Sequence, residues 1–201
     1  MFKESIAKEE IERLPGFHFE GKIVTINTPE QAESVAQFLL TQKVLGFDTE
    51  TRPSFRKGSS NKVALLQIST ANEAFLFRLG ATGLPLPLKQ VLSKASTLKI
   101  GVGIMDDIRY LRKLSDFTPA GFLDLQNLAG NYGIEDKSLK KLSAIVLGIK
   151  VSKSQQLSNW ENPILTEAQQ RYAATDAYVC LQIFNKLNHI KPIANAKWDQ
   201  E

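Results

Sequence analysis

The sequence predicts one α/β domain built on a mixed sheet. A chain of 201 residues, 43% of them hydrophobic, holds enough apolar material for one good core. Apolar runs over 44–47, 63–69 and 73–79 are spaced as an antiparallel meander. In the second half short strands alternate with helices, the pattern of parallel strands added to an existing sheet.

Composition narrows the setting. The net charge of +4 and pI near 9.1 are compatible with a polyanionic partner without singling one out. A lone Cys180 excludes an intrachain disulfide framework and fits a reducing compartment. The first 20 residues carry Lys3, Glu4, Lys8, Glu9, Glu10, Glu12 and Arg13, so they lack the apolar core of a secretory signal and are too acidic for a transit peptide. No later run is long enough to span a bilayer. A soluble, cytoplasmic protein with no membrane partner is expected.

Taken in order, residues 5–14 have the spacing of an amphipathic helix ended by Pro15-Gly16, expected to pack on the domain or cover an edge. Residues 22–26 are a first short strand. Thr28-Pro29-Glu30-Gln31 opens a helix: Thr28 caps, Pro29 suits the first position, and Gln31 completes a capping box. Ala32, Val35, Ala36 and Leu39 form its buried stripe. The strand over 44–47 follows, and Thr70-Ala71-Asn72 joins the next two runs as a hairpin. A Gly/Pro-rich connection over 80–87 leads to a short helix over 88–93. Residues 98–102 and 122–125 are strands that flank a helix over 106–114. Ser138 caps a helix that runs to Leu147 and stops at Gly148. Thr166-Glu167-Ala168-Gln169 is a second capping box, opening a helix to about residue 187.

Several stretches hold residues suited to chemistry. Val44-Leu45-Gly46-Phe47-Asp48-Thr49-Glu50 ends in two carboxylates separated by one residue. Side chains alternate along a strand, so Asp48 and Glu50 project from one face. Such close charges repel unless a cation lies between them, and oxygen ligands suit magnesium or manganese. An acidic, solvated turn is the plain alternative. Gly101-Val102-Gly103-Ile104-Met105-Asp106-Asp107 places two acids in a helix's first turn, where one could cap while the other faces a site. In Tyr172-Ala173-Ala174-Thr175-Asp176 the phenol and carboxylate stand one helical turn apart on one face. Between residues 51 and 62 lie Arg52, Phe55, Arg56, Lys57 and Lys62 with no acid. Interleaved cations and a ring suit nucleic-acid contact, and an ordinary solvated loop is the alternative.

Taken together, Phe47-Asp48-Thr49-Glu50-Thr51, Val102-Gly103-Ile104-Met105-Asp106-Asp107 and Tyr172-Ala173-Ala174-Thr175-Asp176-Ala177-Tyr178 resemble the three motifs of the DEDD superfamily of 3′–5′ exonucleases. The tyrosine marks the branch that contains ribonuclease D and the Werner syndrome helicase exonuclease domain. Lys62-Val63-Ala64-Leu65-Leu66-Gln67-Ile68 and Leu157-Ser158-Asn159-Trp160 match as well. The alternative histidine branch, which places a His shortly before the final Asp, is not matched, since neither His18 nor His189 sits in such a position. The resemblance covers roughly residues 22–190, leaving 1–21 as an N-terminal helical extension and 191–201 as a tail.

The resemblance implies an RNase H-like fold: a five-stranded mixed sheet of order 3-2-1-4-5, strand 1 being residues 44–47, with helices on both faces. It implies a metal-dependent enzyme that removes 5′-mononucleotides from single-stranded or frayed 3′ ends of DNA or RNA. Asp48, Glu50 and Asp176 would hold one of two divalent cations, Mg2+ or Mn2+. Asp48 would bridge to the second, with Asp107, selected over Asp106 by the motif, supporting it through water. Tyr172 would orient the attacking water. Thr51 departs from the bulky residue that relatives carry there, with Phe55 a possible substitute for base stacking. The chain is too short for the added domains of full-length ribonuclease D, so a stand-alone enzyme or one recruited by a partner is expected. A catalytically silent nucleic-acid-binding relative is the rival, and retention of the acids and the tyrosine argues against it.

Overall fold

The computed structural model describes residues 1–52 and 62–192. The chain opens with a short helix α1 (Lys8–Glu12) and a two-residue strand β1 (Gly16–Phe17), followed by β2 (Lys22–Ile26). Helix α2 (Pro29–Leu39) begins as its sequence demands: the Thr28 hydroxyl accepts the Gln31 N–H at 3.2 Å, and Gln31 accepts the Asn27 N–H. Strands β3 (Val44–Thr51), β4 (Val63–Ser69) and β5 (Glu73–Arg78) form the expected antiparallel meander. Short helices α3 (Leu79–Thr82) and α4 (Leu86–Ser93) lead to β6 (Leu98–Gly101), α5 (Met105–Leu114), β7 (Phe122–Asp124) and α6 (Leu125–Gly130). Helix α7 (Leu139–Leu142) widens into a π-helical turn over Ser143–Leu147 that stops at Gly148 with φ of 72°. Strand β8 (Lys150–Val151) and the long helix α8 (Glu167–Asn188) complete the chain, α8 beginning at the expected Thr166/Gln169 box.

The main sheet runs β2-β5-β4-β3-β6-β7. The five strands β5-β4-β3-β6-β7 have the expected order, but the sheet has six: β2 adds at the edge beyond β5, parallel to it with Lys22 beside Glu73. A parallel partner some 50 residues away leaves no hairpin signature, which is why residues 22–26 gave no sign of their place. A second, two-stranded sheet pairs β1 with β8 in parallel.

Helices cover both faces. On one, Leu45 and Phe47 of β3 and Leu66 and Ile68 of β4 pack with α2, α4 and α5. On the other, α6, the α7 region and α8 cover β6, β7 and the inner residues of β4 and β5. Residues 1–21 lie against this second face: Ile6 and Ile11 pack on Ala144, and the Phe19 N–H donates to Thr175 Oγ1 at 2.9 Å.

Gly46 fixes how closely α8 approaches. A Cβ there would lie 1.9 Å from the Ala177 carbonyl oxygen and 2.8 Å from Ser69 Oγ. Small residues Ala173, Ala174 and Ala177, all fully buried, supply the matching helix surface. Gly46→Ala is therefore expected to push α8 off β3 and to destabilise the fold by about 1–3 kcal/mol or more, read by urea denaturation. A variant as stable as wild type would show that the contact does not set the packing.

Candidate active site

Three acids meet where β3 and α8 cross. One carboxylate oxygen from each of Asp48, Glu50 and Asp176 lies within 4.8 Å of the other two. Asp48 and Glu50 share a face because β3 alternates, and Asp176 reaches them because α8 rests on Gly46. The strand irregularity between Glu50 and Thr51 ends regular pairing just beyond the site.

Asp107 stands beside this trio and is tied elsewhere: its Oδ1 accepts the Thr49 hydroxyl at 2.5 Å. Neighbouring Asp106 is exposed and pairs with Arg109 at 3.0 Å. Neither acid caps α5. That task falls to Asp124 at the end of β7, whose carboxylate accepts the Gly103, Ile104 and Gln126 N–H groups. Asp124 thus holds the turn that presents Asp107, a role visible only once β6 and β7 are side by side.

Electrostatics follow from burial. Desolvation and then the charges of Asp176, Glu50 and Asp107 push the Asp48 carboxyl well above its ordinary range. Burial, then Asp176 and Asp107, raises Glu50 to about 9. Asp176 is raised to about 7 by burial, opposed by its hydrogen bond with Tyr172 and by the Lys153 charge. Burial raises Asp107 to about 6 against the opposing Thr49 bond. The Tyr172 phenol is also pushed up, by burial and then the Asp176 and Glu50 charges, so it is neutral at physiological pH. Its ring packs on fully buried Trp160, with centroids 6.0 Å apart.

Asp48, Glu50 and Asp176 line a cavity of about 270 Å³ whose other walls include Ser138, Lys140, Ser152, Lys153 and Gln156. Lys140 pairs with Glu12 at 2.9 Å. Lys153, two residues after β8, was not singled out from the sequence. Nothing in its local pattern marks it, since it meets Asp176 only across the fold. Among the expected nucleic-acid contacts, Arg52 pairs with Glu161 at 3.1 Å. Lys62 lines a neighbouring cavity of about 540 Å³ with Arg78 and Trp160. Phe55, Arg56 and Lys57 lie outside the described residues.

Oxygen-only donors this close, on groups that resist ionising together, are the chemistry of a hard divalent-cation site. The residues present fit such an ion.

Sequence comparison decides the family. The 3′–5′ exonuclease family matches residues 23–190, which include all three acidic segments. The chain belongs to the 3′–5′ exonuclease family. Mouse (Mus musculus) "Bifunctional 3′–5′ exonuclease/ATP-dependent helicase WRN" is 33% identical to this exonuclease domain over 94% of the chain. The chain spans between 14% and 40% of the length of that protein and two other curated relatives. The Aedes aegypti Nibbler EXO domain superposes with a TM-score of 0.77 at 23% identity, covering 86% of this chain and 91% of that one. Trypanosoma brucei RNase D in complex with RNA U12 gives 0.76 at 18% identity, covering 86% and 64%. At those identities the likeness is one of fold, and the fold is RNase H-like.

Proposed function

We propose that this exonuclease domain is a metal-dependent 3′–5′ exonuclease of the tyrosine branch, acting on single-stranded or frayed 3′ ends and releasing 5′-mononucleotides. The observation that carries this reading is the convergence of Asp48, Glu50 and Asp176 within 4.8 Å, beside a neutral tyrosine. Asp48, Glu50 and Asp176 would hold divalent cations, Mg2+ or Mn2+, with Asp107 in support. Bound there, the cations would supply activation of water and charge neutralisation at the leaving 3′ oxygen.

The chain's own residues account for the rest. Tyr172 keeps its proton, so it acts as a hydrogen-bonding group that orients the attacking water and not as a base. Its bond to Asp176 and its packing on Trp160 hold the phenol in one place. The Lys153 ammonium at the cavity wall offers a cation to a backbone phosphate entering the acidic cleft. Arg52 and Lys62 flank the approach, and Phe55, Arg56 and Lys57 are proposed to add to it. A nucleic-acid substrate is supported by the family and by the RNA bound to the related fold from Trypanosoma brucei.

The test is direct. End-labelled single-stranded DNA and RNA are incubated with the protein and Mg2+ or Mn2+. The expected product is a ladder shortening from the 3′ end with 5′-mononucleotides accumulating, abolished by chelator. Tight binding with no nucleotide release would instead identify a silent relative of the family.

A further inference from the structure

Gln67 has no part in the chemistry so far. It is fully buried in the middle of β4, and neither its Oε1 nor its Nε2 has a hydrogen-bond partner. An unpartnered buried amide is costly, and an apolar residue of similar shape would remove the cost. Register gives its location: Gln67 stands directly opposite Asp48 on the β3–β4 ladder. Directly opposed residues project from the same face with Cβ atoms about 4.5–5.5 Å apart, so Gln67 and Asp48 are side-chain neighbours on the face that α8 covers. On its other flank the opposed residue is Leu76, which offers no polar side chain. Ser69 Oγ is also unpartnered, but it lies opposite Gly46, which has no side chain to orient.

Asp48 needs such a neighbour. Its Oδ1 accepts the Thr49 backbone N–H at 2.9 Å, which fixes one oxygen. We propose that Gln67 is a positioning residue whose amide, unpartnered in the metal-free protein, donates to the Asp48 carboxylate when cations bind and sets the orientation in which it holds them. This role rests on the proposed function of the acidic cleft. Gln67 acts through Asp48 and touches neither ion nor substrate. Hydrogen bonds to metal-ligating carboxylates are what hold them in a binding geometry, and their loss weakens the metal.

Gln67→Met keeps the length of the side chain and removes the amide, and Gln67→Leu serves as a second apolar replacement. Wild type and both variants are titrated with Mn2+ by calorimetry, melted in chelator, and assayed for nucleotide release across a Mn2+ series. The expected result is Mn2+ affinity about 10–100-fold weaker, with nucleotide release shifted to correspondingly higher Mn2+. Melting temperature in chelator is expected to match or exceed wild type. Unchanged Mn2+ affinity and unchanged Mn2+ dependence in both variants would overturn the role. So would a lower melting temperature in both, because Gln67 would then serve the fold and not Asp48. A wild-type protein that neither binds Mn2+ nor releases nucleotide would overturn the function itself. That result is distinct from a wild type that binds and cleaves alongside variants that do the same.

Discussion

Asp48→Asn is expected to lower the rate of nucleotide release by about 10³-fold or more while raising the melting temperature of the metal-free protein at alkaline pH. The two effects have opposite signs for one reason. Asp48 is strongly desolvated and feels the charges of Asp176, Glu50 and Asp107 together. Converting it to a neutral isostere relieves repulsion that the fold otherwise carries, and it removes the carboxylate proposed to hold the cations. Nucleotide release from a labelled oligonucleotide and thermal unfolding in chelator measure the two halves separately. Activity within tenfold of wild type would exclude Asp48 from the centre of the chemistry. A melting temperature that fell would show that its charge is compensated in a way the packing does not reveal.

Stability in chelator should fall as pH rises, the reverse of the usual acid denaturation. Glu50 is raised to about 9, Asp176 to about 7 and Asp107 to about 6, each above its ordinary carboxyl value. Between the unfolded and folded values the native state binds more protons than the unfolded one, so unfolding releases protons and higher pH favours it. The stabilising protonation is complete near pH 4 and is lost progressively up to about pH 9. Discounted for solvent at the cavity mouth, the change is on the order of 2 kcal/mol, or roughly 4–8 °C for a domain of this size. Saturating Mn2+ should flatten the slope and raise the melting temperature most at high pH, because the cation displaces those protons. Melting curves from about pH 5 to 9, with chelator and with Mn2+, test this. A chelator profile that rises with pH would mean the acids are neutralised by something other than protons or ions.

Much of the site was legible because its parts are local. A two-residue alternation puts Asp48 and Glu50 on one face of β3, and a four-residue step puts Tyr172 and Asp176 on one face of α8. Caps at Thr28, Ser138 and Thr166 marked their helices correctly for the same reason, since each bond spans three residues. Residues 122–125 were harder: β7 stops at Asp124, and Leu125 already begins α6. Asp124 there serves two helix starts, and only one of them lies nearby in sequence.

The sequence by itself determined which side chains are available and which way each local pair faces, and with the family motifs it named the four acids and the tyrosine. Tertiary structure decided which of them meet. Asp176 closes on Asp48 and Glu50 because Gly46 leaves room for the Ala177 carbonyl, a contact between residues 131 positions apart. Asp107 stays with Thr49, Lys153 comes to the cavity wall, and Gln67 lies unpartnered opposite Asp48. Periodicity is written over a few neighbouring residues, whereas the distance between two elements depends on every side chain packed between them.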